Sequence, residues 1–142
     1  MIILDTDILT LIEWEERTGT QKLRAKFAQF GPGEIRASII SVDEQFRGWM
    51  AYIAKAASIA KEIEAYRRLH RQLRLYGGLL IMDFDEIAAT HFQSLRKQFR
   101  RHKENDLKIA AIALAHQALV VTRNLRDFEQ IPGLRSEDWT KQ

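Results

Sequence analysis

The sequence predicts an α/β fold in three layers, with a mainly parallel central sheet of four or five strands and helices on both faces. Three observations carry this. Short unbroken apolar runs, such as Ile2 to Leu4 and Leu79 to Met82, read as strands buried on both faces. Longer stretches with helical periodicity alternate with them, the pattern of parallel strands joined by crossover helices. Gly31-Pro32-Gly33 and Gly77-Gly78 stop the chain firmly between the two kinds of segment.

Ile2 to Leu4 is the first strand and ends on Asp5, Thr6 and Asp7. Asp7 is placed to cap a helix from Ile8 to about Arg17, which Thr18-Gly19-Thr20 breaks. Gln21 to Phe30 is a second amphipathic helix, and Ile35 to Ile40 a second strand ending at Ser41. Ser41 with Glu44 matches a capping box, opening a helix to about Lys55. A further helix, Ser58 to Leu75, carries Arg and Lys outward and precedes the third strand. Asp83 to Glu86 starts a helix ending near His102, in the basic run Arg100-Arg101-His102-Lys103. Glu104-Asn105-Asp106 caps a helix from Leu107 to Leu119 that is apolar nearly all round, and therefore buried. Leu119 to Thr122 is the fourth strand, Asn124 to Phe128 a single turn, and Leu134 to Ser136 a short edge strand. Three connections hold two helices each, so one helix of each pair must lie obliquely or project.

With 142 residues, a single domain over 1–142 is expected. The 46% hydrophobic and 29% charged fractions are those of an ordinary globular protein, and the net charge of +3 permits a polyanionic partner without demanding one. The absence of cysteine excludes disulfides, thiolate catalysis and Cys-based zinc sites. The apolar N-terminus is too short for a signal peptide, and no run approaches the ~20 apolar residues of a membrane span. A soluble, cytoplasmic protein without membrane contact is expected.

In such a sheet, strand C-termini and helix N-termini share one edge, where ligands bind. Asp5 follows strand one, Glu44 lies in the first turn after strand two, Asp106 opens the buried helix, and Asp127 follows strand four. All four should meet. No Arg, Lys or His lies within two residues of Asp5 or Glu44, and carboxylates that repel one another need a cation. Oxygen ligands without His or Cys suit Mg²⁺ or Mn²⁺. Such an ion in a basic protein points to phosphodiester hydrolysis.

The segments Leu4-Asp5-Thr6-Asp7, Ser41-Val42-Asp43-Glu44, Asn105-Asp106-Leu107-Lys108-Ile109-Ala110-Ala111 and Val121-Thr122-Arg123-Asn124-Leu125-Arg126-Asp127-Phe128 resemble, in order and spacing, the blocks of PIN-domain ribonucleases. The tail Ile131-Pro132-Gly133-Leu134 with Glu137-Asp138-Trp139 is similar to that of VapC-type toxins of bacterial toxin–antitoxin modules. The resemblance implies a Mg²⁺-dependent endoribonuclease in which Mn²⁺ can substitute, homodimeric, cutting RNA and held inactive by a cognate antitoxin. It carries over Asp5, Glu44, Asp106 and Asp127 as metal-binding catalytic acids, with Thr6, Thr122 and Asn124 in support. The expected reaction is in-line hydrolysis by metal-activated water, leaving a 5′-phosphate and a 3′-hydroxyl. An antitoxin segment, amphipathic and basic at its tip, would lie over the helices near Trp14 and Trp49. Two departures mark this chain. Lys103-Glu104 stands where the family often has a glycine before the third acid, and Ile112 where it often has a histidine.

The bland readings are real competitors. Glu44 also fits a capping box, Asp127 a turn, and Asp106 a helix dipole. The four histidines lack metal spacing and read as surface or packing residues, and the three tryptophans as packing or interface residues. Asp43, Asp83 and Asp85 read as caps or solvated surface, with Asp7 or Asp43 able to serve around the site. Arg67-Arg68, Arg71, Arg74 and the run Arg96 to Lys103 offer steering of a phosphate backbone. Two other functions compete. A haloacid-dehalogenase-type phosphatase also opens with a strand and Asp-x-Asp, but wants Thr or Val where this chain has Leu9. A PIN-like domain that binds RNA or a partner without cutting is the other.

Overall fold

A computed structural model describes residues 1–13 and 20–141. Its sheet has five strands, all parallel: β1 (Ile2–Leu4), β2 (Ile35–Ser38), β3 (Leu80–Met82), β4 (Leu119–Val121) and β5 (Arg135–Glu137), in the order β3-β2-β1-β4-β5. The upper limit of the expected strand number is the one observed. Strand order reverses at β1, which pairs with β2 on one side and β4 on the other. That reversal opens the crevice in which open α/β sheets bind ligands.

The helices among the described residues are α1 (Thr6–Glu13), α2 (Thr20–Phe27), α3 (Ile39–Ala54), α4 (Ile59–Gly77), α5 (Glu86–Gln98), α6 (Glu104–His116) and the single turn α7 (Leu125–Phe128). Two clusters form the core. Ile3 and Val120 point from the sheet toward α5 and α6, where they meet Phe92, Leu107 and Ile112. Ile2, Leu4, Ala37 and Val121 point the other way, toward Ile8, Leu9 and Leu23 of α1 and α2. The alternation along each strand divides one short apolar run between two cores. Ile112 is fully buried in the first cluster, which is why a polar ring has no place there.

Several boundaries differ from expectation, each for a local reason. β2 ends at Ser38, whose hydroxyl accepts from the Ser41 N–H at 3.2 Å and caps α3. The capping box at Ser41 is therefore not formed; Ser41 is buried inside the helix, and Glu44 sits in its second turn. Asp7 does not cap α1. Asp5 stands before its first turn, its carbonyl accepting the Ile8 and Leu9 N–H at 3.1 and 3.2 Å and its Oδ1 the Thr6 N–H at 2.7 Å, while Asp7 Oδ2 accepts from Arg123 N–H across the crevice at 3.1 Å. α5 stops at Gln98 rather than near His102. α6 starts at Glu104 with Lys103 at its cap position and no side-chain cap, so Glu104, Asn105 and Asp106 lie within the helix.

β3 is an edge strand with Leu80 52% exposed, not a buried one. The stop at Gly31-Pro32-Gly33 is a turn in which Gly33 adopts φ +79, a value open to glycine at little cost. The expected course of the first helix beyond Glu13, its break at Thr18-Gly19, and Trp14 all lie outside the described residues.

Candidate metal and active site

Five segments meet at the C-terminal edge of the sheet around β1. Asp5 is its centre, 5% exposed and tied on both carboxylate oxygens: Oδ1 to the Thr6 N–H, and Oδ2 to the Thr122 hydroxyl at 2.8 Å. Its own N–H donates to the Val121 carbonyl at 2.9 Å, extending the β1–β4 ladder by one rung and fixing the carboxylate in the crevice. Burial, then the charge of Asp7, pushes this carboxyl from 3.8 up to about 7; the Thr122 and Thr6 hydrogen bonds offset part of the rise, and Asp106 adds to it.

Glu44 reaches the same edge from α3. The Thr6 hydroxyl bridges the two sides, 2.8 Å from Ser41 Oγ and donating to Glu44 Oε1 at 3.4 Å. Burial and the charge of Asp106 raise the Glu44 carboxyl, against Thr6 and Lys103. Asp106, in the first turn of α6, is raised by burial; Lys103 opposes the rise, Asp127 and Asp7 add to it, and His102 opposes it. Asp127 lies on α7, where the Asn124 amide donates to its Oδ2 at 3.0 Å. Asn124 in turn donates its N–H to the Thr122 hydroxyl at 2.8 Å. A chain of hydrogen bonds thus runs from Asp5 through Thr122 and Asn124 to Asp127.

The four acids read from the sequence are thereby brought to one edge, linked by mutual repulsion: Asp106 raises both Asp5 and Glu44, and Asp127 raises Asp106. Asp7 belongs with them. It raises Asp5 and Asp106, and its Oδ1 is buried without a hydrogen-bond partner. Asp43 adds a little to the rise on Glu44 but is itself paired with exposed Arg47 at 2.7 Å. Asp85 caps α5 as expected, accepting from Ala88 N–H at 2.9 Å.

Although no cation lies within two residues of Asp5 or Glu44, two approach the acids from elsewhere in the sequence. Lys103 is distant in sequence from Glu44 yet reaches it, and Arg123 stands 3.9 Å from Asp7. Both oppose the rise, Lys103 more strongly at Asp106 than either Asp127 or Asp7 adds to it, yet burial keeps Asp5, Asp7, Glu44 and Asp106 raised. Oxygen-only donors, one of them buried and unpaired, fit a hard divalent cation such as Mg²⁺ or Mn²⁺. Among the described residues no group of three or more His, Asp or Glu side chains is arranged, as they stand, so that it could hold a metal ion.

Sequence reasoning missed two contributors. Ser41 was read as a cap and is instead the hydroxyl that positions Thr6. His102 was read as a surface or packing residue. It packs edge-on to Phe99 with centroids 5.1 Å apart, and its Nε2 also lies 3.1 Å from the Asp127 carbonyl. Because a carbonyl only accepts, that nitrogen carries the proton. Of the basic residues on α4, Arg68 is turned inward over the Trp49 ring at 5.0 Å, while Arg67, Arg71 and Arg74 line an open hollow on the outer face. Trp139 is core, stacked on Phe30 at 5.4 Å.

With this geometry in hand, comparison with known proteins places the chain. Over 64 residues it is 38% identical to the tRNA(fMet)-specific endonuclease VapC of Shigella flexneri, covering 42% of this chain and 48% of that protein. The chain thus spans about half the length of the curated relatives it matches. Among solved structures it is similar to DNA-bound VapBC from Salmonella typhimurium, with TM-score 0.78, 29% identity and 97% of each chain covered. It is also similar to VapBC2 from Rickettsia felis bound to a promoter DNA fragment, with TM-score 0.74, 26% identity, and 98% of this chain and 99% of that one covered. The PIN domain pattern matches residues 2–134, nearly the whole chain, and the chain belongs to the PIN-domain family.

Proposed function

We propose that this chain is a divalent-metal-dependent endoribonuclease, acting as one domain in the cytoplasm and serving as the toxin of a toxin–antitoxin pair. One observation carries the reading: carboxylates from the end of β1 and from α3, α6 and α7 of a PIN-domain sheet lie at one edge, where burial and their mutual charge raise Asp5, Glu44 and Asp106. The similarity to VapC endonucleases supports RNA as the substrate and an antitoxin as the partner. Asp5, Glu44, Asp106 and Asp127 would hold Mg²⁺, with Mn²⁺ able to replace it, and Thr6, Thr122 and Asn124 would orient them.

When bound, a hard divalent ion lowers the pKa of water and stabilises charge on a phosphoryl oxygen. The chain's own contribution is positional. Thr122 and the Thr6 amide keep Asp5 in one rotamer, and Thr6 keeps Glu44 facing it. Asn124 and His102 hold the Asp127 turn from two directions. Groups fixed this way meet developing charge without reorganising, which is where most of the rate must come from.

The antitoxin reading is supported by a shallow hollow of about 290 Å³ between α1, α3 and α4, lined by Thr10, Glu13, Gln45, Trp49 and Tyr52 among others. A homodimer is proposed on family grounds alone. Among the described residues no helix is long and apolar enough to cross a membrane.

The deciding experiment is cleavage of cellular RNA with Mg²⁺ or Mn²⁺ by the wild-type chain, Asp5→Asn and Asp106→Asn, with sequencing of the ends produced. The wild-type chain is expected to leave 5′-phosphates, and both variants to lose cleavage. Activity unchanged in both removes the assignment, and turnover of free phosphomonoesters with RNA left intact favours the phosphatase alternative.

A further inference from the structure

The cations that act on Glu44 and Asp106, Lys103 and His102, come from one short connection, residues 99–103, between α5 and α6, while Arg123 stands by Asp7 on the other side. It is pinned along its length. The Phe99 N–H closes α5 on the Leu95 carbonyl at 2.8 Å. The His102 ring packs edge-on to Phe99 and donates to the Asp127 carbonyl. The Lys103 carbonyl then takes the Leu107 N–H at 3.2 Å as α6 begins. Lys103 is therefore fixed at the start of α6, three residues before Asp106 and next to the Asp127 turn, and α3, which carries Glu44, packs on that helix.

Two neighbouring cations are engaged elsewhere, while Arg100 and Arg101 are exposed and do not figure among the main charges acting on Asp5, Glu44 or Asp106. Arg96 stands 3.8 Å from Glu104, and the Lys108 ammonium lies over the Phe92 and Phe84 rings at 5.5 and 5.9 Å. Lys103 is exposed, and among the described residues no hydrogen bond or close ion pair holds its ammonium. Its charge still reaches both Glu44 and Asp106. An anionic crevice repels a polyanion, so a strand crossing it needs a cation at the rim that no internal partner consumes. A lysine suits this task, being a mobile point charge with three donors that loses little hydration at the surface.

We infer that Lys103 positions the substrate by binding a backbone phosphate of the RNA strand at the rim of the acid cluster. The inference rests on the endoribonuclease reading above and adds a residue that the acids themselves do not supply. Since Lys103 touches a phosphate and no metal ligand, its loss weakens binding of the strand and leaves the ion's site intact.

The test compares Lys103→Gln with Lys97→Gln, another exposed lysine, on α5, whose charge is not among the main influences on Asp5, Glu44 or Asp106. Binding of a fluorescent single-stranded oligoribonucleotide is followed by anisotropy over a range of KCl, with Ca²⁺ in place of Mg²⁺ to prevent cleavage. Lys103→Gln should weaken binding several-fold and flatten the slope of log K against log[KCl] by about 0.7, the value for one lost phosphate contact on a single strand. Lys97→Gln should change neither. In cleavage assays Lys103→Gln should raise KM with kcat little altered, and Mn²⁺ affinity without RNA should hold or tighten, because a like charge has gone. An unchanged salt slope, or weaker Mn²⁺ binding, overturns the inference. A wild-type chain that binds RNA but cuts none with any divalent ion refutes the enzyme reading alone, while one that binds no RNA overturns Lys103 as well.

Discussion

The Thr122 hydroxyl donates to Asp5 Oδ2 at 2.8 Å, joining the end of β4 to the end of β1 across 117 positions of sequence. Thr122 is fully buried, and the same oxygen accepts the Asn124 N–H. One hydroxyl thus holds the central acid and starts the turn that presents Asp127. Thr122→Val keeps the volume and removes both bonds. Leaving a buried carboxylate oxygen and an amide N–H unpaired should cost about 2 kcal/mol in a urea titration. The bond to Thr122 also lowers the Asp5 pKa, so its loss shifts Asp5 further toward the protonated form. The ascending limb of the cleavage pH profile should move to higher pH, and an unmoved limb would detach Thr122 from Asp5 function.

Ion-free protein should lose stability as pH rises, the reverse of the usual carboxylate case. Burial and the charge of Asp7 hold Asp5 at about 7, above its ordinary 3.8. Below about pH 4 the carboxyl is protonated in both folded and unfolded chains, and above about 7 it is ionised in both. Between these limits only the folded chain keeps the proton, so stability falls with rising pH, by up to about 4 kcal/mol for this one group. Asp7, Glu44 and Asp106 are displaced in the same direction and add to the slope. Chemical denaturation in EDTA from pH 4.5 to 8, a range chosen to bracket about three units of titration, should show the decline, and Asp5→Asn should flatten much of it. Mn²⁺ should restore stability more at the alkaline end, since it binds the ionised carboxylates. Equal stabilisation by Mn²⁺ at both ends would mean that it binds elsewhere.

Ser38→Ala should destabilise the chain by about 1 kcal/mol through loss of the α3 cap, with a smaller effect from Ser41→Ala. Ser38 Oγ accepts the Ser41 N–H, whereas Ser41 Oγ faces Thr6. Thermal melts of the two variants distinguish cap from bridge, and a greater loss of stability in Ser41→Ala would reverse the assignment. The sequence is ambiguous here because two serines three apart each precede a helical pattern. Cap choice depends on where β2 runs out of partners, and Ser38 is its last paired residue, opposite Met82.

The same distinction separates what was legible from what was not. The apolar runs of β1 and β4 and the glycine stops set the order of strands and helices, because burial on two faces leaves no room for a polar residue there, whereas β5 is Arg135-Ser136-Glu137 at the sheet's edge. The meeting of Asp5, Glu44, Asp106 and Asp127 at one edge follows from parallel topology alone. The reach of Lys103 to Glu44 and the grip of His102 on the Asp127 carbonyl do not, since each depends on how one short connection folds against elements far away in sequence. Asp7 was misplaced as a cap for a related reason: its partner, the Arg123 amide, is contributed by the loop after β4.

Asn124→Ala isolates the orientation of Asp127 from its presence. The Asn124 amide donates to Asp127 Oδ2 at 3.0 Å, while His102 independently holds the Asp127 carbonyl at 3.1 Å. Alanine keeps the backbone N–H that bonds to Thr122, so α7 stays in place and only the carboxylate gains freedom. Stability should change by less than about 1 kcal/mol, as for a partly exposed side chain with no packing role. If Asp127 is an ion ligand, losing the group that orients it should weaken Mn²⁺ binding about tenfold by calorimetry, at the lower end of the range for residues that support a metal ligand. Asp127→Asn should weaken it at least as much. An Asn124→Ala protein that binds Mn²⁺ as tightly as wild type would place Asp127 outside the ion's coordination and leave the site to Asp5, Glu44 and Asp106.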